Sequence, residues 1–114
     1  MKIMKFGGSS LSTPTRLTSV AQIILDASQE GEPIVVVVSA FEGVTDQLIK
    51  MGRIAAAGDN TYLEAVTLLE KRHSDAVKAV IPEGERQRCI VNNMKNSLSE
   101  LSDILHGVFL LKEL

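Results

Sequence analysis

Two short stretches carry the residue types from which a phosphate-handling site is built: residues 1–10, MKIMKFGGSS, and residues 34–46, IVVVVSAFEGVTD. In the first, an apolar run ends in Lys5 and gives way to Gly7, Gly8, Ser9 and Ser10. Glycines straight after a strand let the backbone approach a ligand that a side chain would block, and amide N–H groups freed there can cradle an anion. A helix opening a few residues later adds its positive end. Lys5 precedes the glycines, the reverse of the G-x-x-x-x-G-K-[ST] order, so the pattern is a phosphate-site candidate of another kind. The competing reading is an ordinary strand-to-helix turn preceded by a strand-edge charge.

The second stretch repeats the arrangement with Ser39 and Thr45. Each hydroxyl has two readings. Ser39 is either a strand-end turn residue or a contact for a small polar substrate, and Thr45 is either a helix cap or a second such contact. In open α/β sheets ligands gather at the carboxyl ends of the strands, where both loops should lie. Their coincidence is worth more than either alone.

The elements that must position these residues follow from pattern. Lys2–Phe6 reads as a short buried strand, followed by a loop over residues 7–12. Thr13 is a plausible cap, with Pro14 at the first helical position, where its missing N–H costs nothing. Leu17, Val20, Ala21, Ile24 and Ala27 form an apolar stripe on that helix, which Gly31 and Pro33 end. Ile34–Val38 is five consecutive β-branched residues without alternation, which predicts a strand covered on both faces. Strand, helix, strand is one βαβ unit with parallel strands and a right-handed crossover.

Three helices should follow. Thr45 caps the first, which runs to about Ala57 with Leu48, Met51, Gly52 and Ala55 inward. After a break at residues 58–60, Thr61 and Glu64 have capping-box spacing. Tyr62, Val66, Leu69, His73, Ala76 and Val80 then trace the inner face of the second. Beyond a turn at residues 82–84, a long helix starts near Glu85 and carries Val91, Met94, Leu98, Leu101, Leu105 and Val108 at steps of three and four. Gly107 is a candidate kink, with helix resuming over residues 108–111. The long stripe is core, or a short coiled-coil-like seam for self-association.

With 114 residues the chain is one domain at most, 45% apolar and 23% charged. A net charge of -2 implies no general attraction to nucleic acid, and 4% aromatics without Trp remove the stacking platforms of single-strand binders. The single cysteine, Cys89, cannot form an internal disulfide, so a reduced cytoplasmic setting fits best. It reads as an inert thiol although Arg86 and Arg88 share its turn, and with Lys95 these arginines read as a solvated face. No apolar run is long enough to cross a bilayer, and residues 1–10 lack a signal peptide's apolar middle. His73 and His106 have no second ligand at metal-binding spacing, so no metal site is expected. The ending FLLKEL carries no helix stop signal, and two strands are too few for an independent sheet. The sequence reads like the first part of something larger.

Taken together, Lys5-Phe6-Gly7-Gly8-Ser9-Ser10, Val37-Val38-Ser39-Ala40 and Gly43-Val44-Thr45-Asp46 closely resemble the amino end of aspartate kinases. The segment LHGVFLL at residues 105–111 looks most like the bifunctional aspartokinase–homoserine dehydrogenases. The resemblance covers the whole chain and is strongest over residues 1–11 and 35–48. It implies a three-layer α/β amino-acid kinase (carbamate kinase-like) fold, of which residues 1–114 would be an incomplete amino-terminal fragment. It further implies ATP and Mg2+, phosphorylation of the side-chain carboxylate of L-aspartate on the way to lysine, threonine and methionine, and a homo-oligomer.

Carried over by motif, Lys5 would be catalytic, offsetting charge on the phosphoryl group in transit. With Gly7, Gly8 and Ser9 it would also form the ATP phosphate site, and Ser39 and Thr45 would line the aspartate site, which favours the substrate reading of Thr45. The substrate carboxylate attacks for itself, so positioning and electrostatics suffice and no protein base is required. Two departures stand out. Phe41-Glu42 occupies a place where many relatives carry small or different residues, so the mouth of the substrate site should differ. The family's next motif, Ser/Arg-x-Gly-Glu, and its nucleotide-binding half are not in these residues, so the fragment alone is expected to be inactive. The alternatives are another amino-acid kinase and a stand-alone helical interaction module.

Overall fold

Strand β1 (Lys2–Phe6) pairs in parallel with β2 (Ile34–Val38), in a register that runs from Lys2 opposite Ile34 to Phe6 opposite Val38. The computed structural model describes residues 1–112, which fall into two units, one over Met1–Val44 and one that begins at Thr45. In the first unit the strands are joined by a 3-10 turn at Gly8–Leu11 and by helix α1 (Pro14–Ser28). The segment expected as loop is thus partly wound. Thr13 caps α1 as anticipated: its hydroxyl accepts the Arg16 N–H at 3.2 Å, and Pro14 follows at the first helical position. A cap of this kind is worth about 1 kcal/mol.

Val20 and Ala27 of α1 are buried and Leu17 and Ile24 half-buried, whereas Ala21 is exposed at the margin of the stripe. Gly31 turns the chain towards β2 with φ +81°, a conformation other residues seldom adopt. Beyond that turn the amino ends of both strands are tied together. The Lys2 N–H donates to the Pro33 carbonyl at 2.9 Å, Met1 pairs its terminal ammonium with Glu32 at 2.7 Å, and Lys2 reaches Glu30 at 3.2 Å. Both ion pairs are exposed and contribute at most about 1 kcal/mol each.

The expectation of a strand covered on both faces is corrected. Met4, Phe6, Ile34 and Val36 share a half-buried face. Ile3, Val35 and Val37 share the other with Lys5 and are 67%, 43% and 46% exposed. A continuous β-branched run reports what a strand can bury, and a sheet of two strands in this unit leaves one side uncovered.

The second unit is helical: α2 (Val44–Ala56), α3 (Tyr62–Val80) and α4 (Glu85–Leu111). Here α2 starts at Val44, one residue before the expected cap, so Thr45 lies inside its first turn. Met51 and Ala55 are buried at 2% and 0% exposure, but Leu48, placed inward by periodicity, is 38% exposed. The anticipated capping box of Thr61 and Glu64 does not form. Thr61 has helical dihedrals, φ -66° and ψ -8°, and makes no side-chain cap bond; the Asp59 carboxylate accepts the Thr61 N–H at 2.9 Å instead.

Tyr62, Val66, Leu69 and Ala76 of α3 are buried as predicted, and α3 packs along α4, whose Leu105 is buried. Burial of a large aliphatic side chain contributes roughly 1.5–3 kcal/mol, so this seam is the main stabilising element of the unit. Stripe residues Val91, Met94, Leu98, Leu101 and Val108 are half-buried. Helix α4 continues through Gly107 without interruption and ends at Leu111, with Lys112 left-handed at φ 57°. His73 is half-buried, as expected, whereas His106 is exposed. The Nδ1 of His73 lies 2.8 Å from the Leu69 carbonyl, and His106 stacks on Phe109 with its Nδ1 3.4 Å from the Tyr62 hydroxyl.

Candidate functional site

A strand that ends in glycine leaves its next peptides free to turn, and β1 ends this way at Gly7. That residue has φ -81° and ψ 176°, ordinary extended backbone, and a Cβ added to it would meet nothing within 4 Å. Gly8 differs. A Cβ there would lie 3.3 Å from the Glu42 Cα and 3.4 Å from the Ala40 carbonyl oxygen. Gly8 is therefore the residue that lets the first loop press against the second, while the space at Gly7 is open to a ligand.

The carboxyl ends of the strands are knitted directly. The Ser39 N–H donates to the Phe6 carbonyl at 3.2 Å, extending the ladder one step into the loops. The Ser39 hydroxyl donates to the Ala40 carbonyl at 2.7 Å, so its oxygen keeps acceptor capacity but has already spent its proton. The Phe41-Glu42 departure sits here, with the Glu42 backbone against Gly8 and the Val44 N–H on the Phe41 carbonyl at 3.0 Å.

Behind the first loop, the Ser10 N–H closes onto the Gly7 carbonyl at 3.1 Å, and the Ser9 carbonyl accepts from the Ser12 hydroxyl at 2.9 Å. The same carbonyl accepts from Arg16 Nη1 at 2.7 Å. A hollow of about 280 Å3 lies beside it, lined by Ser9, Ser10, Arg16, Ser19 and Val20. Arg16 is the residue that sequence reading passed over. An arginine in the first turn of an amphipathic helix looks like a solvent-facing charge, and only the fold back onto Ser9 gives it another role. The nearest sequence signal is its place three residues after a Thr-Pro helix start, beside a glycine loop.

The structure thus brings Gly7, Gly8, Ser9 and Ser39 together at the carboxyl end of the two strands. Lys5 stands one step earlier on β1, opposite Val37 on the exposed face. Thr45 is exposed in the first turn of α2 and belongs to the second unit. In that unit a separate hollow of about 300 Å3 runs between α2 and α3, with Met51, Ile54, Ala65 and Leu68 in its walls and Lys50 and Glu64 among the residues lining it. It carries no glycine turn and is a packing groove by composition. Among the described residues there is no group of three or more His, Cys, Asp or Glu able to hold a metal ion, and no helix is long and apolar enough to cross a membrane. Cys89 is free and exposed.

Comparison with known proteins covers these segments and most of the chain besides. The model of a family described as the amino acid kinase family matches residues 1–102. The maize protein named bifunctional aspartokinase/homoserine dehydrogenase 2, chloroplastic, is 29% identical over 108 residues, covering 95% of this chain and 12% of that protein. A bifunctional aspartokinase/homoserine dehydrogenase of Buchnera aphidicola (subsp. Acyrthosiphon pisum) is 32% identical over 119 residues, covering 99% of this chain and 14% of its own length. An aspartokinase of Helicobacter pylori (strain J99) is 41% identical over 51 residues, 45% of this chain and 13% of that protein. The chain therefore spans only 12% to 14% of the length of these relatives.

Proposed function

This chain belongs to the amino acid kinase family, and on that premise we propose that it is part of an aspartate kinase catalytic domain, contributing the phosphate loop and part of the aspartate site. Its parallel strands and four helices fit the amino-acid kinase fold, and relatives named aspartokinase match along most of it. The observation that carries the reading is the meeting of two strand-end loops through Gly8, beside a glycine whose Cβ position is open.

In the proposed reaction a side-chain carboxylate oxygen of L-aspartate attacks the γ-phosphorus of ATP. The bond from that phosphorus to the bridging oxygen of ADP breaks, leaving ADP and an acyl phosphate. No proton need move, so the protein's task is to orient two anions and lower their repulsion. The amides of Gly7, Gly8 and Ser9 would hold the phosphates, and the ammonium of Lys5 would neutralise charge in transit. Ser39, whose oxygen can still accept, suits the substrate's ammonium, and Thr45 lies near the positive end of α2, which suits a carboxylate. Mg2+ would accompany ATP on its phosphates, as is usual for an ion that keeps few protein ligands.

We place the enzyme in the cytoplasm as a homo-oligomer. Self-association is supported by the apolar sheet face of Ile3, Val35 and Val37. The 114 residues by themselves are expected to release no ADP in response to aspartate.

The test uses an intact kinase that carries this segment. Lys5→Ala should lower kcat about a hundredfold, roughly 3 kcal/mol by analogy with oxyanion-type donors, with little change in KM. Thr45→Val should raise the KM for aspartate instead. Aspartate-dependent ADP release measured by a coupled assay reads both. An unchanged kcat in Lys5→Ala removes Lys5 from the site, and turnover with glutamate but not aspartate overturns the choice of substrate.

A further inference from the structure

We propose that Arg16 is the positioning residue of the phosphate loop: with the Ser12 hydroxyl it fastens the Ser9 carbonyl, and so fixes the orientation of the Ser9–Ser10 peptide. This rests on the phosphate-loop reading above and assigns a role to a residue outside the motif. The Ser9 carbonyl accepts at 2.7 Å from Arg16 Nη1 and at 2.9 Å from Ser12 Oγ. A carbonyl oxygen has two lone pairs, and both are engaged. The N–H of the same peptide, on Ser10, donates to the Gly7 carbonyl at 3.1 Å. The peptide is held at both poles.

Two glycines directly upstream make such a hold necessary. Gly7 has no neighbour within 4 Å of its Cβ position, so no packing restrains its rotation, and glycine explores more backbone conformations than any other residue. A loop free to rotate can present a carbonyl oxygen to an incoming phosphate, which repels it. A carbonyl already bound to two donors cannot turn, and amides fixed in advance need no reorganisation when the anion arrives.

Arg16 is anchored in turn, because its own N–H is taken by the Thr13 cap at 3.2 Å. Its charge strengthens the bond to Ser9, and Arg16 lines the hollow with Ser10 and Ser19. One side chain thereby orders the loop and leaves positive charge beside it.

The experiment uses the 114-residue chain labelled with 15N, with circular dichroism to confirm helix content. Amide exchange at Ser10 is measured without ligand, and inorganic triphosphate is then titrated as the probe. Arg16→Met should speed Ser10 exchange and weaken triphosphate binding by about tenfold each, the loss of one charge-assisted hydrogen bond. Ser12→Ala, which changes no charge, should move both in the same direction by about threefold, as expected for a neutral bond. Arg16→Lys should recover part of each. Unchanged Ser10 exchange in both Arg16→Met and Ser12→Ala overturns the positioning role, even if Arg16→Met binds less triphosphate, because Arg16 then acts only as a charge. An unaltered chain that binds no triphosphate overturns the phosphate-loop reading itself, and the free-state exchange data separate that failure from the first.

Discussion

The two units of this chain solve different problems. The helical unit closes a core on itself: Met51, Ala55, Tyr62, Leu69 and Leu105 are all at most 4% exposed. The βαβ unit holds the glycine loops, yet keeps an apolar sheet face open, with Ile3 67% and Val37 46% exposed. The residues suited to chemistry, Thr45 apart, thus lie on the less self-sufficient of the two units. What orders them is a set of local polar bonds around Ser9, Ser12, Thr13 and Arg16 rather than deep burial.

The sharpest way to break this contrast is in the helical core. Leu105→Ala should destabilise the helical unit by about 3 kcal/mol, from lost burial and the cavity left behind. Amide exchange along α3 and α4 reads the effect. If exchange there hardly changes, the core is not as closed as its burial suggests.

Next in size is a pair of substitutions inside the loop. Gly8→Ala forces a Cβ to 3.3 Å from the Glu42 backbone and should cost about 1–2 kcal/mol, since backbone yields poorly. Gly7→Ala meets nothing and should change stability by less than about 0.5 kcal/mol, yet still weaken triphosphate binding by filling the ligand's space. Denaturant melts followed by titration compare them. Equal costs for the two would erase the distinction between a glycine kept for packing and one kept for a ligand.

The smallest effect concerns acid. The Thr61 amide N–H, and secondarily its hydroxyl, hold the Asp59 carboxyl below its ordinary value, slightly offset by desolvation. The folded state therefore releases that proton more readily than the unfolded one. The resulting stability is present above about pH 4 and is lost as pH falls through the lowered folded value. Asp59→Asn should flatten this part of the stability profile, measured by urea unfolding at a series of acidic pH values. An unchanged slope would show that the Asp59 bond contributes nothing in solution.

Much of this arrangement was legible from sequence, and the misses have physical reasons. Strand and helix limits followed from periodicity and from Thr13-Pro14, Gly31 and Gly58. The start of α2 moved because Gly43, at φ +83°, lets the Val44 N–H bond to Phe41 and opens the helix before Thr45. The capping box failed because Thr61 itself adopts helical dihedrals, leaving Asp59 to take its N–H. Glycine and serine at a strand end were readable as a loop that could meet an anion. Arg16 was not, because its meaning depends on a side-chain bond back across seven residues.

The parallel register of β1 and β2 also has a kinetic consequence. Lys2 meets Ile34 only after the intervening segment has folded back, so the pairing gains nothing until a long loop has closed. The seam of α3 and α4 joins helices consecutive in the chain across a short turn, which favours faster formation. In pulse-labelling hydrogen exchange during refolding, amides of α3 and α4 should gain protection before those of β1. The glycine loop would then acquire its shape last, once the strand that precedes it has found its partner.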